Sequence, residues 1–277
     1  MQKVRNILTY FKTELNNKFN DREVASWAYL SIHHILGFSK SDYILNANKK
    51  LTKANKMQFM QIVNDLKNEK PIQYILGTIN FFGMTLKVNK NVLIPRPETE
   101  ELICWILESK FKSALDIGTG SGCIAIVLAN NTQAKINAID ISNKALNIAK
   151  ENAKINKVDI NFLKKDILNT NYLPKVDLIV SNPPYVLKRE KIQMKENVLS
   201  YEPHLALFVS DNDPLIFYKK IGQLATKTLN CNGKLFFEIH EKYAKEIIDL
   251  LNDLGFVNIK LKKDINDKDR MIKAVWK

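Results

Sequence analysis

Four consecutive residues, Asn182-Pro183-Pro184-Tyr185, carry a combination suited to chemistry on a planar amine. They follow Val176-Asp177-Leu178-Ile179-Val180, an apolar run that reads as a short buried strand ending where polar residues begin. The two prolines lack N–H groups, so beyond Asn182 the loop offers carbonyl acceptors and almost no main-chain donors. Asn182 adds a side-chain carbonyl, and Tyr185 adds a flat ring. A group bearing NH2, such as a carboxamide or a nucleobase amine, needs two acceptors for its hydrogens and a surface to lie against. The tetrapeptide holds all three. Asn-Pro and Pro-Pro also break chains in ordinary turns, so a second motif has to decide between the readings.

That motif is Asp116-Ile117-Gly118-Thr119-Gly120-Ser121-Gly122, where an expected strand, Ala114 to Ile117, meets an expected helix, Cys123 to Asn130. Alternate glycines let the backbone turn tightly and approach a ligand, and a helix N-terminus favours a negative group. A nicotinamide-binding loop of the form G-x-G-x-x-G would need glycine at Cys123, whereas here glycine stands at Gly122. Asp140, ending a second strand from Ile136, is placed to accept from both ribose hydroxyls of an adenosine. A carboxylate there without a pyrophosphate fingerprint fits S-adenosylmethionine better than NAD, with the helix N-terminus facing the methionine carboxylate. Asp166 and Ile167, after a third strand at Ile160 to Leu163, would bring a carboxylate to the adenine amine and an aliphatic face to its ring. Asn182 would border the same cofactor.

The elements that must position these residues alternate. After the strand at Val176 come a helix from Leu215 to Leu229, a strand from Lys234 to Ile239 and a helix from Tyr243 to Leu254. Ile259 to Leu261 and Met271 to Trp276 have no helix between them and are expected to pair antiparallel. The pattern predicts an α/β fold: a Rossmann-like, doubly wound sheet with antiparallel C-terminal strands, its ligand at the carboxyl ends of the strands. Residues 1–72 read instead as a small helical bundle without a catalytic cluster. One helix is capped by Asn20-Asp21-Arg22-Glu23 and stops at Gly37; another opens near Thr52 and closes before Pro71. Residues 73–95 are rich in β-branched, aromatic and turn residues and read as a β-hairpin linker to a catalytic domain at 96–277.

Composition narrows the class. The 277 residues are 45% hydrophobic and 26% charged, as in ordinary soluble domains. No apolar run is long enough to span a membrane, and Met1-Gln2-Lys3-Val4-Arg5-Asn6 opens no secretory signal, so a cytoplasmic home is expected. The three cysteines, Cys104, Cys123 and Cys231, are scattered and read as reduced packing residues, and neither they nor the four histidines suggest a metal site. The net charge is +13, and residues 1–95 hold 14 basic against 6 acidic side chains. Such a surplus suits a polyanionic partner. Heavy use of Lys, Asn and Ile can equally reflect coding bias, so direct nucleic-acid binding is the less favoured reading.

Together, the Asp-x-Gly-x-Gly-x-Gly loop, Asp140 and Asn182-Pro183-Pro184-Tyr185 resemble a class I S-adenosylmethionine-dependent methyltransferase acting on a planar nitrogen. The tetrapeptide also occurs in enzymes that methylate DNA adenine, DNA cytosine and rRNA guanine, and the flanks discriminate among these. Pro71-Ile72-Gln73-Tyr74-Ile75-Leu76-Gly77, Phe82-Gly83 and Val92-Leu93-Ile94-Pro95-Arg96-Pro97-Glu98-Thr99-Glu100 resemble the hinge and entry loop of the HemK/PrmC family. Tyr201-Glu202-Pro203-His204-Leu205-Ala206-Leu207 and Asp264 to Arg270 resemble its later segments, so the likeness covers nearly the whole chain. Two stretches depart from the family pattern, Val209 to Pro214 and His240-Glu241-Lys242, and both are expected to lie away from the inferred reaction centre.

The resemblance implies methylation of the glutamine side chain in the Gly-Gly-Gln motif of peptide chain release factors. The helical bundle would dock the factor, and the chain would act as a monomer without a metal. It further implies that the substrate NH2 donates to the Asn182 side-chain oxygen and the Pro183 carbonyl and that the amide rests against Tyr185. Pro184 and Arg96 would complete the substrate site, and S-adenosylhomocysteine would be the by-product. An adenine-N6 methyltransferase on DNA or RNA remains open as an alternative. So does a translation-associated binding protein keeping a vestigial cofactor fold, although the glycine loop and Asp140 are both intact.

Overall fold

In the computed structural model, which describes all 277 residues, the chain opens with helix α1 (Asn6–Leu15). Helix α2 (Asp21–Leu36) begins where the Asn20 side chain accepts the Glu23 N–H at 2.9 Å, and it ends at Gly37 in the left-handed conformation. Ser39 and Asp42 cap each other reciprocally at α3 (Lys40–Leu45), and Thr52 caps α4 (Lys53–Lys67). Short α5 (Ile72–Leu76) lies where strand was expected to begin. Pro71 precedes its first turn, Gly77 closes it with φ +74°, and Ile72 packs into the helical core beside Phe59 and Leu66. Residues Met1–Gly77 form one compact unit together with Lys195–Tyr201.

The second unit comprises Thr78–Met194 and Glu202–Lys277. Strands β1 (Thr78–Phe81) and β2 (Met84–Lys87) form a hairpin turning at Phe82-Gly83, narrower than the 73–95 stretch expected for it. Helix α6 (Pro97–Leu107) starts with proline and carries Glu98 and Glu100 in its first turn, where its dipole stabilises acids. Then follow β3 (Ser113–Ile117), α7 (Cys123–Asn131), β4 (Lys135–Asp140), α8 (Asn143–Ile155), β5 (Asn161–Lys164) and β6 (Val176–Ser181). Beyond the short β7 (Val186–Leu187), α9 (Glu196–Tyr201) belongs to the first unit, where the Tyr201 hydroxyl donates to the Asn68 carbonyl at 2.8 Å. The chain then runs through α10 (His204–Leu207), β8 (Phe208–Val209), α11 (Ile216–Thr228), β9 (Leu229–Glu238), α12 (Ala244–Asp253), β10 (Val257–Lys263) and β11 (Asp269–Val275).

The main sheet has the order β10-β11-β9-β6-β3-β4-β5. Its five strands from β9 to β5 are parallel, and β11 runs antiparallel between β9 and β10, as the missing late helix implied. Alternate residues of each strand feed two cores. Ala114, Val180 and Phe236 meet α6 and α7 through Leu102 and Ile126, while Leu115, Ile179 and Leu235 meet α11 and α12 through Ile221 and Ile247. Register sets the functional edge: Ile139, Ile117, Ser181 and Phe237 lie side by side. The next residues, Asp140, Gly118, Asn182 and Glu238, therefore emerge as a row at the carboxyl ends of four adjacent strands. No helix is long and apolar enough to cross a membrane.

Candidate active site

A cavity of about 350 Å³ opens at that row, where β3 and β6 leave the sheet in opposite directions. Gly118 to Ser121, Asp140, Asp166, Ile167 and Asn182 to Pro184 all line it, and Arg96 contributes from the start of α6. Three expected residues do not line it: Asp116, Gly122 and Tyr185.

The glycine loop is cut to hold a ligand. Gly118 sits at φ +76°, and a Cβ there would meet nothing within 4 Å, so the loop has an open side that an L side chain could reach only with backbone strain. The Asp140 carboxylate accepts from the Gly120 amide at 2.9 Å and the Ser142 amide at 2.8 Å. Each oxygen keeps a lone pair for a hydroxyl, and burial raises this carboxyl above the ordinary aspartate value. Gly122 serves packing. At φ +82°, its added Cβ would stand 3.1 Å from the Ala149 Cβ, so glycine lets α7 and α8 approach.

Asp116 lies beneath the loop. Its Oδ2 accepts the Thr119 hydroxyl at 2.6 Å, while its buried Oδ1 closes no hydrogen bond, the nearby Ala125 amide giving only a favourable field. Burial pushes the carboxyl up to about 7. A buried oxygen without a partner beside an open glycine loop suits a ligand ammonium. With Asp140 and the α7 N-terminus, the residues present therefore fit an amino-acid-bearing nucleoside such as S-adenosylmethionine.

On the other side, Asn182 Nδ2 donates to Thr99 Oγ1 at 3.4 Å, and the Thr99 hydroxyl donates to Glu238 Oε2 at 2.6 Å. The Tyr185 hydroxyl donates to Glu238 Oε1 at 3.2 Å, and its ring packs edge-on against His240. Burial and the Glu238 charge hold the Tyr185 hydroxyl well above its ordinary value, so it stays a donor. Tyr185 thus turns its hydroxyl toward Glu238, and it is not among the residues that line the cavity. Arg96 Nη2 pairs with buried Glu202 Oε1 at 2.5 Å, whose Oε2 also accepts the Ile94 amide at 3.2 Å.

Sequence reasoning missed Thr99, Glu202 and Glu238. A lone carboxylate ending the apolar strand Leu235-Phe236-Phe237 was the available signal for Glu238. Cys104 and Cys231 are exposed, so only Cys123 is a packing residue, and burial pushes its thiol up to about 12. No group of three or more His, Cys, Asp or Glu side chains is placed to hold a metal ion.

Comparison with known family models also divides the chain between residues 77 and 98. Residues 6–77 match the PrmC N-terminal domain, and residues 98–201 match the methyltransferase small domain. The chain is 48% identical to the release factor glutamine methyltransferase of Flavobacterium psychrophilum, with 98% of each chain covered. It is 38% identical to the protein of that name from Bacteroides thetaiotaomicron, over 97% of this chain and 98% of the relative. Among solved structures, a methyltransferase from Pyrococcus furiosus superposes with a TM-score of 0.54 at 17% identity, covering 81% of this chain and 98% of that one. At that identity the likeness speaks to fold alone.

Proposed function

The chain belongs to the release factor glutamine methyltransferase family, and we propose on that basis that it methylates the glutamine side-chain amide nitrogen in the Gly-Gly-Gln motif of peptide chain release factors. The observation that carries this reading is identity of 48% with one such relative across 98% of both chains.

S-Adenosylmethionine, when bound, supplies a methyl group on a positively charged sulfur, which leaves as S-adenosylhomocysteine once the methyl is transferred. Asp140 would hold the ribose hydroxyls, Asp116 the ammonium, the Gly118 to Ser121 loop and the α7 N-terminus the carboxylate, and Asp166 and Ile167 the adenine. The substrate problem is different. A carboxamide nitrogen is a poor nucleophile because its lone pair is delocalised into the carbonyl. Asn182 Oδ1 and the Pro183 carbonyl accept its two hydrogens, stabilise positive charge as it develops on nitrogen, and fix the direction of the lone pair. Pro184 and the aliphatic lining keep water from the reacting atoms. Tyr185 anchors the loop through Glu238, and Arg96, held by Glu202, offers its remaining N–H groups to substrate carbonyls. No side chain at the centre needs to act as a strong base, since the methylated nitrogen becomes acidic and loses its proton late.

The first unit docks the release factor, and the chain works as a monomer in the cytoplasm, where termination takes place. The test is mass spectrometry of a release factor after incubation with the protein and S-adenosylmethionine. One added methyl group on the Gly-Gly-Gln peptide is expected, and an unmodified peptide would refute the reading.

A further inference from the structure

We propose that Thr99 and Glu238 set which way the Asn182 amide faces, and so act as positioning residues for methyl transfer. The inference rests on the function proposed above.

An ionised carboxylate accepts hydrogen bonds and cannot donate them. With Glu238 charged, the Thr99 hydroxyl proton is committed to Oε2, 2.6 Å away. Thr99 Oγ1 then has only lone pairs to show Asn182, and Asn182 Nδ2 is the atom that faces it, at 3.4 Å. Oδ1 is therefore turned away from Thr99, leaving it as the acceptor. This matters because the two ends of an asparagine amide have nearly the same shape and opposite polarity. Reversed, Asn182 would meet a substrate NH2 with its own NH2. Tyr185 donates to the second Glu238 oxygen, so both carboxylate oxygens are used as acceptors.

A proton on Glu238 would undo the arrangement. A neutral carboxyl can donate to Thr99, whose hydroxyl is then released to donate to Asn182 and draw Oδ1 toward it. The groups that face Glu238 are Arg270 of β11, which favours the ion, and Glu98 of α6, which opposes it. Tyr185, Tyr218 and Cys123 also face it and are neutral. Burial is the largest influence and raises this carboxyl above the ordinary glutamate value. Activity is thus expected to fall on the acid side as Glu238 takes up its proton.

The experiment is steady-state methylation of a release factor by the full-length protein at saturating S-adenosylmethionine, for wild type, T99S, T99V, E238Q and the T99V/E238Q pair. S-Adenosylhomocysteine binding reports folding and the cofactor site. T99S keeps the hydroxyl and should stay within about twofold of wild-type kcat. T99V and E238Q should each lower kcat about tenfold, the size of one lost charge-assisted hydrogen bond, with KM for the factor nearly unchanged. The double variant should be no worse than the poorer single one, because both act through the same amide. E238Q should also lack the acid limb of the wild-type kcat profile. Should E238Q lose S-adenosylhomocysteine binding, the contrast of T99S with T99V decides. Wild-type transfer with T99V at wild-type kcat, or a double variant whose loss is the product of the single losses, overturns the positioning role alone. No wild-type transfer to a release factor overturns the function with it.

Discussion

Asn182 is the residue on which the proposed chemistry turns. Replacing it with alanine removes one acceptor that strengthens as charge develops, and should cost on the order of 2.7–4 kcal/mol in kcat. KM for the factor should change little, and a variant with near-normal turnover would refute the assignment. Asp116 links the same site to solution pH. Its carboxyl rises from 3.8 to about 7 on burial, so folding favours the protonated form. That contribution to stability is complete below the unfolded value and is lost as pH rises through the folded one, up to roughly 4 kcal/mol in all. Urea titrations of the unliganded protein should show a fall in unfolding free energy between these two pH values that is shallower in Asp116→Asn. Equal slopes in the two proteins would contradict the buried, partnerless oxygen. Residue type and spacing singled out Asp116, Asp140 and Asn182 as candidates, and Asp140 and Asn182 line the cavity. Thr99 was not, because a threonine in a helix's first turn looks like any other until β9 brings a carboxylate to it.

Elements were legible where local pattern and local chemistry agree. The alternation of strands and helices, the cap at Asn20, the helix opening near Thr52 and the stop at Gly37 all reappear in the structure. Helix α5 was hidden because its β-branched and aromatic residues favour strand, while packing of Ile72 into the helical core decides for helix. The hairpin shows a second long-range effect. Buried Asn152 of α8 accepts the Lys87 amide at 2.6 Å and donates to the Lys87 and Ser121 carbonyls at 3.0 and 2.9 Å. It ties β2 and the glycine loop to one helix across 65 residues of sequence. Asn152→Ala should destabilise the protein by about 1–3 kcal/mol, since the Lys87 amide is left without its partner. Gly122→Ala should cost a similar ~1–3 kcal/mol by overpacking Ala149 in a left-handed conformation. Both are read from urea midpoints, and an unchanged midpoint in either would mean that the neighbours relax freely.

At the scale of the whole molecule, every residue lining the cavity comes from Thr78–Met194 or Glu202–Lys277. A chain lacking residues 1–77 should therefore bind S-adenosylhomocysteine within about twofold of the full chain, while KM for a release factor rises about tenfold or more. Equal KM values would remove docking from the first unit. Its basic surplus was plain in the sequence; the return of Lys195–Tyr201 to it was not, because six helical residues carry no address.

The most direct measurement is methyl transfer from labelled S-adenosylmethionine to a purified release factor, beside the same factor with its Gly-Gly-Gln glutamine changed to alanine and beside duplex DNA. Label on the unaltered factor alone is the predicted result. Label on the altered factor or on DNA would contradict the assignment of the Asn182-Pro183-Pro184 loop to a glutamine side chain.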